Sequence, residues 1–352
     1  MKIFVLIFLY CATSVAAATE LKHSNFLNVS SCFSGPFASF DSWRAFLVDR
    51  KPGFSESMVR PHAKHEEAAQ RKLYEYYRSN IVCENFDYLV DNVLVRGFYI
   101  APARNTTNDR ASGARSKLPL IIFNRGGNGD LGASTFGYIM SNFFPLAEQG
   151  FVIVGSQYRG FIKKIPNPTF FTNSPSLGED EFGGKDLNDV LKLIELAKFF
   201  PHTDSNKIGM YGFSRGGMMT YMAAKQSHAI SAIAVAGGVV DLARELSFRP
   251  EMEQVYKARI PNYTAQKEQA LTERSAIKWA EKIPTNIPIL LLHGGNDERV
   301  DVKNAKIMAQ KLTELKHPHK LVIYEGDNHS ISGHRREMQD ELITWFNEKL
   351  RN

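Results

Sequence analysis

The chain has 352 residues, of which 43% are hydrophobic and 23% charged, and its 25 glycines and 15 prolines are near average. This composition excludes a wholly disordered, fibrous or collagen-like protein. The formal net charge is only +6 and the sequence contains no dense basic block, so a nucleic-acid partner is not indicated.

The first 18 residues have the features of a secretory signal peptide. Lys2 precedes an apolar run at residues 3–10, and an A-x-A pattern lies at residues 16–18. The run is short for a membrane anchor, because the hydrocarbon core of a bilayer is about 30 Å thick. We therefore expect cleavage after Ala18, a secreted or periplasmic location, and no stable membrane insertion.

Residues 19–90 form an aromatic-rich extension with a helical stretch over residues 62–78. Such a segment is expected to pack on the domain that follows it rather than to fold alone. Cys32 and Cys83 remain after the predicted cleavage, and in an oxidising compartment an even pair favours a disulfide. The bond would tie the extension to the segment that enters the first predicted strand, whereas two buried free thiols are the alternative.

From residue 91 to residue 352, short apolar runs alternate with amphipathic stretches. The predicted strands lie at 93–100, 118–123, 151–156, 207–211, 230–235, 288–293 and 320–324, and the predicted helices at 134–149, 185–200, 215–226, 302–315 and 331–350. This alternation is typical of an α/β domain with a mostly parallel central sheet and helices on both faces. Residues 241–283 interrupt it and predict a short helical cap insertion.

A sharp turn is predicted between a strand and the helix that follows it. Its sequence, GFSRGG at residues 212–217, has a G-x-S-x-G pattern. Gly212 and Gly216 leave room where a side chain would collide with neighbouring backbone, and the turn exposes the Ser214 hydroxyl at the end of the sheet. The pattern alone is common, but its strand–turn–helix context predicts a nucleophile.

A serine hydroxyl needs a base to accept its proton, and in this arrangement the acid and the base follow the serine along the chain. One predicted strand runs into a glycine turn that carries Asp297, and the next runs into a turn that carries His329. His329 is expected to take the Ser214 proton and then protonate the leaving group, while Asp297 orients the imidazole. The spacing between the acid and the base fits one helix and one strand, which predicts neighbouring strands.

Other residues compete for these roles. His293 lies inside its predicted strand, where it is expected to pack structurally. His334 is a competing base because it follows His329 closely, and Asp327 is a competing acid. Asp327 is too near His329 in sequence to be an easy partner, so Asp297 is favoured.

Two pairs of histidines have spacings that a metal site could use, His62 with His65 and His317 with His319. No third ligand is evident for either pair, so we expect solvated surface side chains. Neither a metal nor an organic cofactor is implied.

The tetrahedral intermediate of acyl transfer carries an oxyanion that needs backbone N–H donors. One predicted donor is Arg215, directly after the nucleophile, and the second is Gly126 or Gly127, in the glycine-rich stretch after the strand at 118–123. An ordinary strand-to-helix turn is the alternative for that stretch. The Arg215 guanidinium is also expected to pair with a carboxylate of the acidic run at 179–181, unless that run is a solvated loop.

These segments together resemble the α/β-hydrolase domain of the prolyl oligopeptidase family of serine peptidases. The resemblance covers about residues 93–350. Five segments carry it: GFSRGGMM at 212–219, which is similar to the family's G-x-S-x-G-G-x-M; YRG at 158–160 followed by EFGGKDLNDV at 181–190; PILLLHGGND at 288–297; and EGDNH at 325–329.

The resemblance implies that Ser214 is the nucleophile, Asp297 the acid and His329 the base of an enzyme that cleaves short peptides. Many members carry His-Gly-Gly where this chain has Arg125 followed by two glycines. Members also usually carry a large β-propeller, for which residues 19–90 are far too short. Exopeptidase specificity therefore does not carry over.

The sequence predicts a secreted serine hydrolase that cleaves a small peptide or ester substrate through an acyl-enzyme. The family likeness favours a peptidase, whereas the missing propeller favours a carboxylesterase. A non-catalytic binding protein with a hydrolase fold is a third interpretation, which the ordered serine, acid and base disfavour.

Overall fold

The computed structural model describes residues 19–50, 64–103, 117–161 and 176–351. The predicted signal peptide at 1–18 lies outside these residues. Within them, no helix is both long and apolar enough to cross a membrane.

A nine-stranded mixed sheet forms the centre of the described structure. Its strands are β1 (Leu27–Ser31), β2 (Ile81–Val90), β3 (Val93–Pro102), β4 (Leu118–Asn124), β5 (Val152–Ser156), β6 (Thr203–Phe213), β7 (Ile230–Ala236), β8 (Ile289–Gly294) and β9 (His319–Tyr324). Their order across the sheet is β1-β2-β3-β5-β4-β6-β7-β8-β9. Strands β4 to β9 pair in parallel, and β1, β2 and β3 add an antiparallel edge beside β5.

Helices cover both faces of this sheet, so the predicted α/β class is confirmed. Those in the described residues are α1 (Phe40–Arg50), α2 (Lys64–Asn80), α3 (Phe136–Asn142), α4 (Phe144–Glu148), α5 (Asp186–Leu196), α6 (Arg215–Gln226), α7 (Leu242–Phe248), α8 (Met252–Arg259), α9 (Lys267–Arg274), α10 (Lys303–Glu314) and α11 (Arg335–Leu350). Helices α5, α6 and α10 pack on one face of the sheet through one apolar layer, and α3, α4 and α11 pack on the other face through a second layer. Strand β5 is buried along its whole length, as a strand covered on both faces must be.

The extension at 19–90 contributes two strands to the sheet. Strand β2 pairs with β3 along its full length through a two-residue turn at Asp91 and Asn92, which both have positive φ, of 50° and 60°. The border expected between residues 90 and 91 therefore falls in the turn of a hairpin. A disulfide joins Cys32, just after β1, to Cys83 in β2, with 5.3 Å between their Cα atoms.

The stretch predicted as one helix over 134–149 is two helices, α3 and α4. Phe143 separates them, and a proline stands in the first turn of α4. Because Pro145 has no N–H to donate to a preceding turn, it favours the start of a new helix. The segment at 241–283 contains α7, α8 and α9 together with two short 3-10 turns, at Ala276–Lys278 and Ala280–Lys282.

Candidate active site

Ser214 lies on the turn between β6 and α6. Its backbone has φ 57° and ψ −125°, a strained conformation for a residue with a side chain. A Cβ on Gly212 would lie 2.2 Å from the carbonyl oxygen of Gly216, and a Cβ on Gly216 would lie 1.9 Å from that of Asn124. Only glycine fits at these two positions, so the G-x-S-x-G pattern forms a tight turn that presents Ser214 beyond the end of β6.

Three side chains converge at the carboxyl ends of β6, β8 and β9. His329 Nε2 lies 3.0 Å from Ser214 Oγ, and His329 Nδ1 lies 2.7 Å from Asp297 Oδ2. An ionised carboxylate only accepts hydrogen bonds, so Nδ1 carries the ring hydrogen and Nε2 is left to accept from the serine hydroxyl. The structure thus brings together the three predicted residues in the order that proton transfer requires.

The Asp297 carboxylate is fully buried. Its Oδ1 accepts from the backbone N–H groups of Arg299 at 2.8 Å and Val300 at 3.0 Å, and His293 Nε2 lies 3.1 Å from its Oδ2. Burial alone would raise the pKa of Asp297, but the hydrogen bonds from His293 and His329 outweigh it and hold the pKa below its ordinary value. The carboxylate is therefore ionised at neutral pH and is placed to stabilise the charge that the His329 ring acquires when it takes the serine proton.

The competing residues have other partners. His293 is buried, and its Nε2 also lies 2.9 Å from the carbonyl oxygen of Val300. His334 Nδ1 lies 3.0 Å from Asp327 Oδ2, so these two residues pair with each other. Neither His293 nor His334 bridges Ser214 and Asp297, whereas His329 does.

His317 is not a solvated surface side chain, and that expectation is wrong. The residue is 3% exposed, and its Nε2 lies 2.7 Å from the carbonyl oxygen of Ile287. Burial lowers the pKa of His317. His319 is half-buried, and the side chains of His62 and His65 lie outside the described residues. Across the described residues, no three His, Cys, Asp or Glu side chains are grouped as a metal site requires.

The glycine-rich stretch after β4 lies directly beside the nucleophile. A Cβ on Gly126 would be 3.0 Å from the Cβ of Ser214. Within the described part of the chain, the backbone N–H groups of Gly126, Gly127 and Arg215 donate no hydrogen bond, although Gly126 is buried. Buried N–H groups without a protein partner are rare, and beside a nucleophile they are free to bind an oxyanion.

The Arg215 guanidinium is buried beneath this turn. Its Nη1 donates to Asp180 Oδ2 at 2.8 Å and to the carbonyl oxygen of Gly127 at 2.9 Å, while its Nη2 donates to Asp186 Oδ2. The expected carboxylate in the acidic run is thus Asp180. Sequence reasoning missed Asp186, although the two glycines before it were a signal, because its carboxylate accepts from the backbone N–H groups of both.

A cavity of about 800 Å³ lies over Ser214. One wall is formed by the cap segment at 241–283, through residues of α7, the loop after it and α8: Glu245, Arg249, Met252, Val255 and Tyr256. Side chains connect this segment to the loops of the sheet, since Arg259 Nε lies 3.3 Å from Asn128 Oδ1 and Arg274 Nε donates to the carbonyl of Phe182 at 2.8 Å. The cap therefore bounds the space that a substrate would occupy.

Comparison with known proteins identifies the family. The model of the prolyl oligopeptidase family matches residues 137–352, which is more than half of the chain. The chain belongs to the prolyl oligopeptidase family. The resemblance found in the sequence is confirmed, and this family member is a serine hydrolase of the peptidase type.

Relatives of this prolyl oligopeptidase family member differ in length. It is 25% identical to the uncharacterized peptidase YtmA of Bacillus subtilis over 74% of this chain and 91% of the relative. It is 24% identical to dipeptidyl-peptidase 5 of Porphyromonas gingivalis over 61% of this chain but only 31% of that protein. The solved acylaminoacyl peptidase of Pyrococcus horikoshii has a TM-score of 0.62 at 22% identity, covering 79% of this chain and 43% of that one. That likeness confirms the α/β-hydrolase fold.

Proposed function

We propose that this protein is a secreted serine peptidase that hydrolyses short peptides through an acyl-enzyme on Ser214. The observation that carries the proposal is the continuous hydrogen-bonded chain from Ser214 Oγ through His329 to the buried Asp297, with distances of 3.0 and 2.7 Å. Membership of a peptidase family supports a peptide rather than an ester as the substrate. The cap wall over the cavity supports a substrate of a few residues rather than a folded protein.

The reaction follows from this geometry. His329 Nε2 takes the hydroxyl proton as Ser214 Oγ bonds to the carbonyl carbon of the scissile peptide. The carbonyl oxygen becomes negative and binds to the free backbone N–H groups of Gly126, Gly127 and Arg215. The C–N bond then breaks, and the His329 proton goes to the departing amine. Water repeats the sequence at the acyl-enzyme and releases the carboxylic acid with Ser214 restored.

A labelling experiment tests the proposed nucleophile. A fluorophosphonate probe should label the wild-type protein and leave Ser214→Ala unlabelled. Ser330→Ala is the matched control, because Ser330 lines the same cavity but lies on its exposed rim. Labelling that persists in a folded Ser214→Ala protein would contradict the proposal.

The role of the acid is tested by measuring the hydrolysis of a peptidyl anilide. Asp297→Asn should lower kcat by about 10⁴-fold, because the amide favours the wrong tautomer of the base. Hydrolysis of a library of short peptidyl anilides, compared with acyl p-nitrophenyl esters, then tests the peptide preference. An enzyme that cleaves only the esters would make the carboxylesterase interpretation the better one.

The proposed secretion has its own test. Expression with the natural N-terminus, followed by terminal sequencing of the exported protein, should give a chain that begins at Thr19. The oxidised Cys32–Cys83 pair supports an oxidising compartment. Retention of the full-length chain inside the cell would contradict the proposed location.

A further inference from the structure

We propose that Arg125 is a positioning residue that holds the oxyanion loop, defined as residues 124–132, in its active geometry. The proposal rests on the function proposed above. Arg125 occupies the position where many family members have histidine, and its side chain is 1% exposed. Four backbone carbonyls surround its guanidinium, and no carboxylate is among its hydrogen-bond partners in the part of the chain that the structure describes.

The guanidinium joins the loop to the residue that directly follows β5. Nε and Nη2 donate to the carbonyl of Gln157 at 2.8 and 2.6 Å. Within the loop, Nη2 donates to the carbonyl of Gly129 at 2.7 Å, and Nη1 donates to those of Leu131 at 3.0 Å and Gly126 at 3.1 Å. Since one planar group makes all of these bonds, the loop carbonyls cannot turn independently of one another.

Holding a carbonyl also fixes the next N–H group. A trans peptide unit is planar, so its C=O and N–H bonds point in opposite directions. Arg125 therefore orients the N–H of Gly127 when it binds the carbonyl of Gly126. The ring of Tyr158 stacks against the guanidinium, with 4.9 Å between its centroid and Arg125 Cζ. Its hydroxyl donates to the carbonyl of Arg125 at 3.2 Å and so orients the N–H of Gly126 in the same way.

These are the N–H groups that donate no hydrogen bond within the described residues and belong to cavity-lining residues beside Ser214. Arg215 completes the arrangement, because its Nη1 binds the carbonyl of Gly127. The carbonyls of the loop are thus turned toward two arginines, and its free N–H groups are left for the oxyanion.

The charge of Arg125 argues that this arrangement has a use. Burying a guanidinium without a carboxylate is costly, and a neutral side chain of similar length would fill the same space. Burial, together with the nearby Arg215, lowers the pKa of Arg125 to about 10, so the group is still cationic at neutral pH. Only a protonated guanidinium has the five N–H groups that these five hydrogen bonds require, and its charge adds to the field that favours an oxyanion.

The test compares Arg125→Met, Arg125→Lys and Arg125→Ala in a peptidyl anilide assay and in binding of a peptide aldehyde, whose adduct carries the same oxyanion. We expect kcat to fall about 10²-fold in Arg125→Met, as when one oxyanion donor is lost, with KM nearly unchanged. Across a series of peptide sequences, each tested as an anilide and as the matching aldehyde, the aldehyde Ki should rise in proportion to the loss of kcat/KM. Methylguanidinium, below denaturing concentration, should restore part of the activity of Arg125→Ala.

The matched control is Arg96→Met, which removes another buried guanidinium, one that lies on β3 outside the oxyanion loop and pairs with Asp87 of β2 at 2.7 Å. It should lower the melting temperature without changing the ratio of aldehyde Ki to kcat/KM. If Arg125→Ala does not fold, Arg125→Lys provides the measurement, because it keeps the charge and loses the planar fork.

Folded Arg125 variants with wild-type kcat and aldehyde Ki, or with a loss confined to KM, would overturn the proposal. Ser214→Ala distinguishes this failure from that of the proposed function. If Ser214→Ala is inactive and Arg125→Met is fully active, only the positioning role is wrong. If Ser214→Ala still hydrolyses the anilide, the function itself is wrong.

Discussion

The nucleophile turn and the oxyanion loop lie side by side in the same cavity, yet they are held by different forces. Gly212 and Gly216 fix the turn through backbone packing so close that a single added carbon would overlap a carbonyl oxygen. The loop is held by its own Arg125 and by the charged side chains of Arg215 and Asp180, which are distant from it in sequence. The steric fixation needs two glycines that the sequence pattern shows directly, whereas the electrostatic fixation needs charged side chains brought together from three separate segments.

Among the changes that distinguish the two regions, the largest effect is expected from Gly216→Ala. The new Cβ would lie 1.9 Å from the carbonyl oxygen of Asn124, so the backbone must shift and move Ser214 away from His329. A displacement of about 1 Å lowers the rate by about 10²-fold, which is measured as kcat on a peptidyl anilide. Gly137→Ala in α3 is the control, because its Cβ would meet only the Trp43 ring at 3.5 Å. Equal activity in both variants would show that close backbone packing at Gly216 does not fix the turn that carries Ser214.

A smaller effect is expected from Asp180→Asn. Asp180 Oδ2 accepts from the N–H of Gly129 at 2.7 Å and from Arg215 at 2.8 Å. A neutral acceptor in place of a charged one costs about 1.4 kcal/mol, which corresponds to a loss of about tenfold in kcat. Glu179→Gln, at the exposed neighbouring position, should retain wild-type activity. A full-rate Asp180→Asn enzyme would show that the loop does not depend on this carboxylate.

The two regions should also respond differently to acid. Burial alone would raise the pKa of Asp180, but Arg215 and the bound N–H groups bring it to about 2. Because this folded-state pKa is depressed, the ion pair stabilises the protein above the unfolded-state pKa of about 3.9, and the stabilisation is lost as the pH falls toward 2.

The measurement is the difference in melting temperature between the wild type and each variant as a function of pH. For Asp180→Asn, the difference should be constant above about pH 5 and shrink below it. For Gly216→Ala it should not change with pH, because no titrating group is involved. A pH-independent difference for Asp180→Asn would contradict the electrostatic account of the loop.

The smallest effect on activity is expected at the disulfide, which lies in neither region. Replacing Cys32 and Cys83 by serine should lower the free energy of unfolding by about 2–4 kcal/mol and leave kcat unchanged. Denaturant unfolding of the oxidised protein and of the double variant measures the difference. A fall in kcat at a temperature where the variant is fully folded would show that β1 and β2 influence the active site.

The sequence predicted the parts of the site that depend on local pattern. The glycines around Ser214 and the strand ends before Asp297 and His329 lie at the predicted places, because strand, turn and helix follow each other directly there. It did not predict Asp186 or the hydroxyl of Tyr158 as partners of the two arginines. These contacts join segments 29 and 33 residues apart, and the local patterns of strands, turns and helices do not indicate that these particular residues meet.

Strand β2 was missed for a related reason. Its pattern places Glu84, Asn85 and Asp87 among apolar residues, and all three are buried. Glu84 accepts from the backbone N–H groups of residues 20 and 21, and Asp87 pairs with Arg96. The polar side chains are satisfied by partners that only the tertiary structure supplies, so the alternation that signals a strand is absent from the sequence.

The position of β4 determines where this protein can be cut without losing its structure. The family match starts at residue 137, but β4 ends at Asn124 and is inserted between β5 and β6. A fragment that began at the match would lack a central strand and leave two rows of backbone amides and carbonyls without partners. The family match is therefore shorter than the unit that folds, and expression vectors should retain the chain from residue 19 onward.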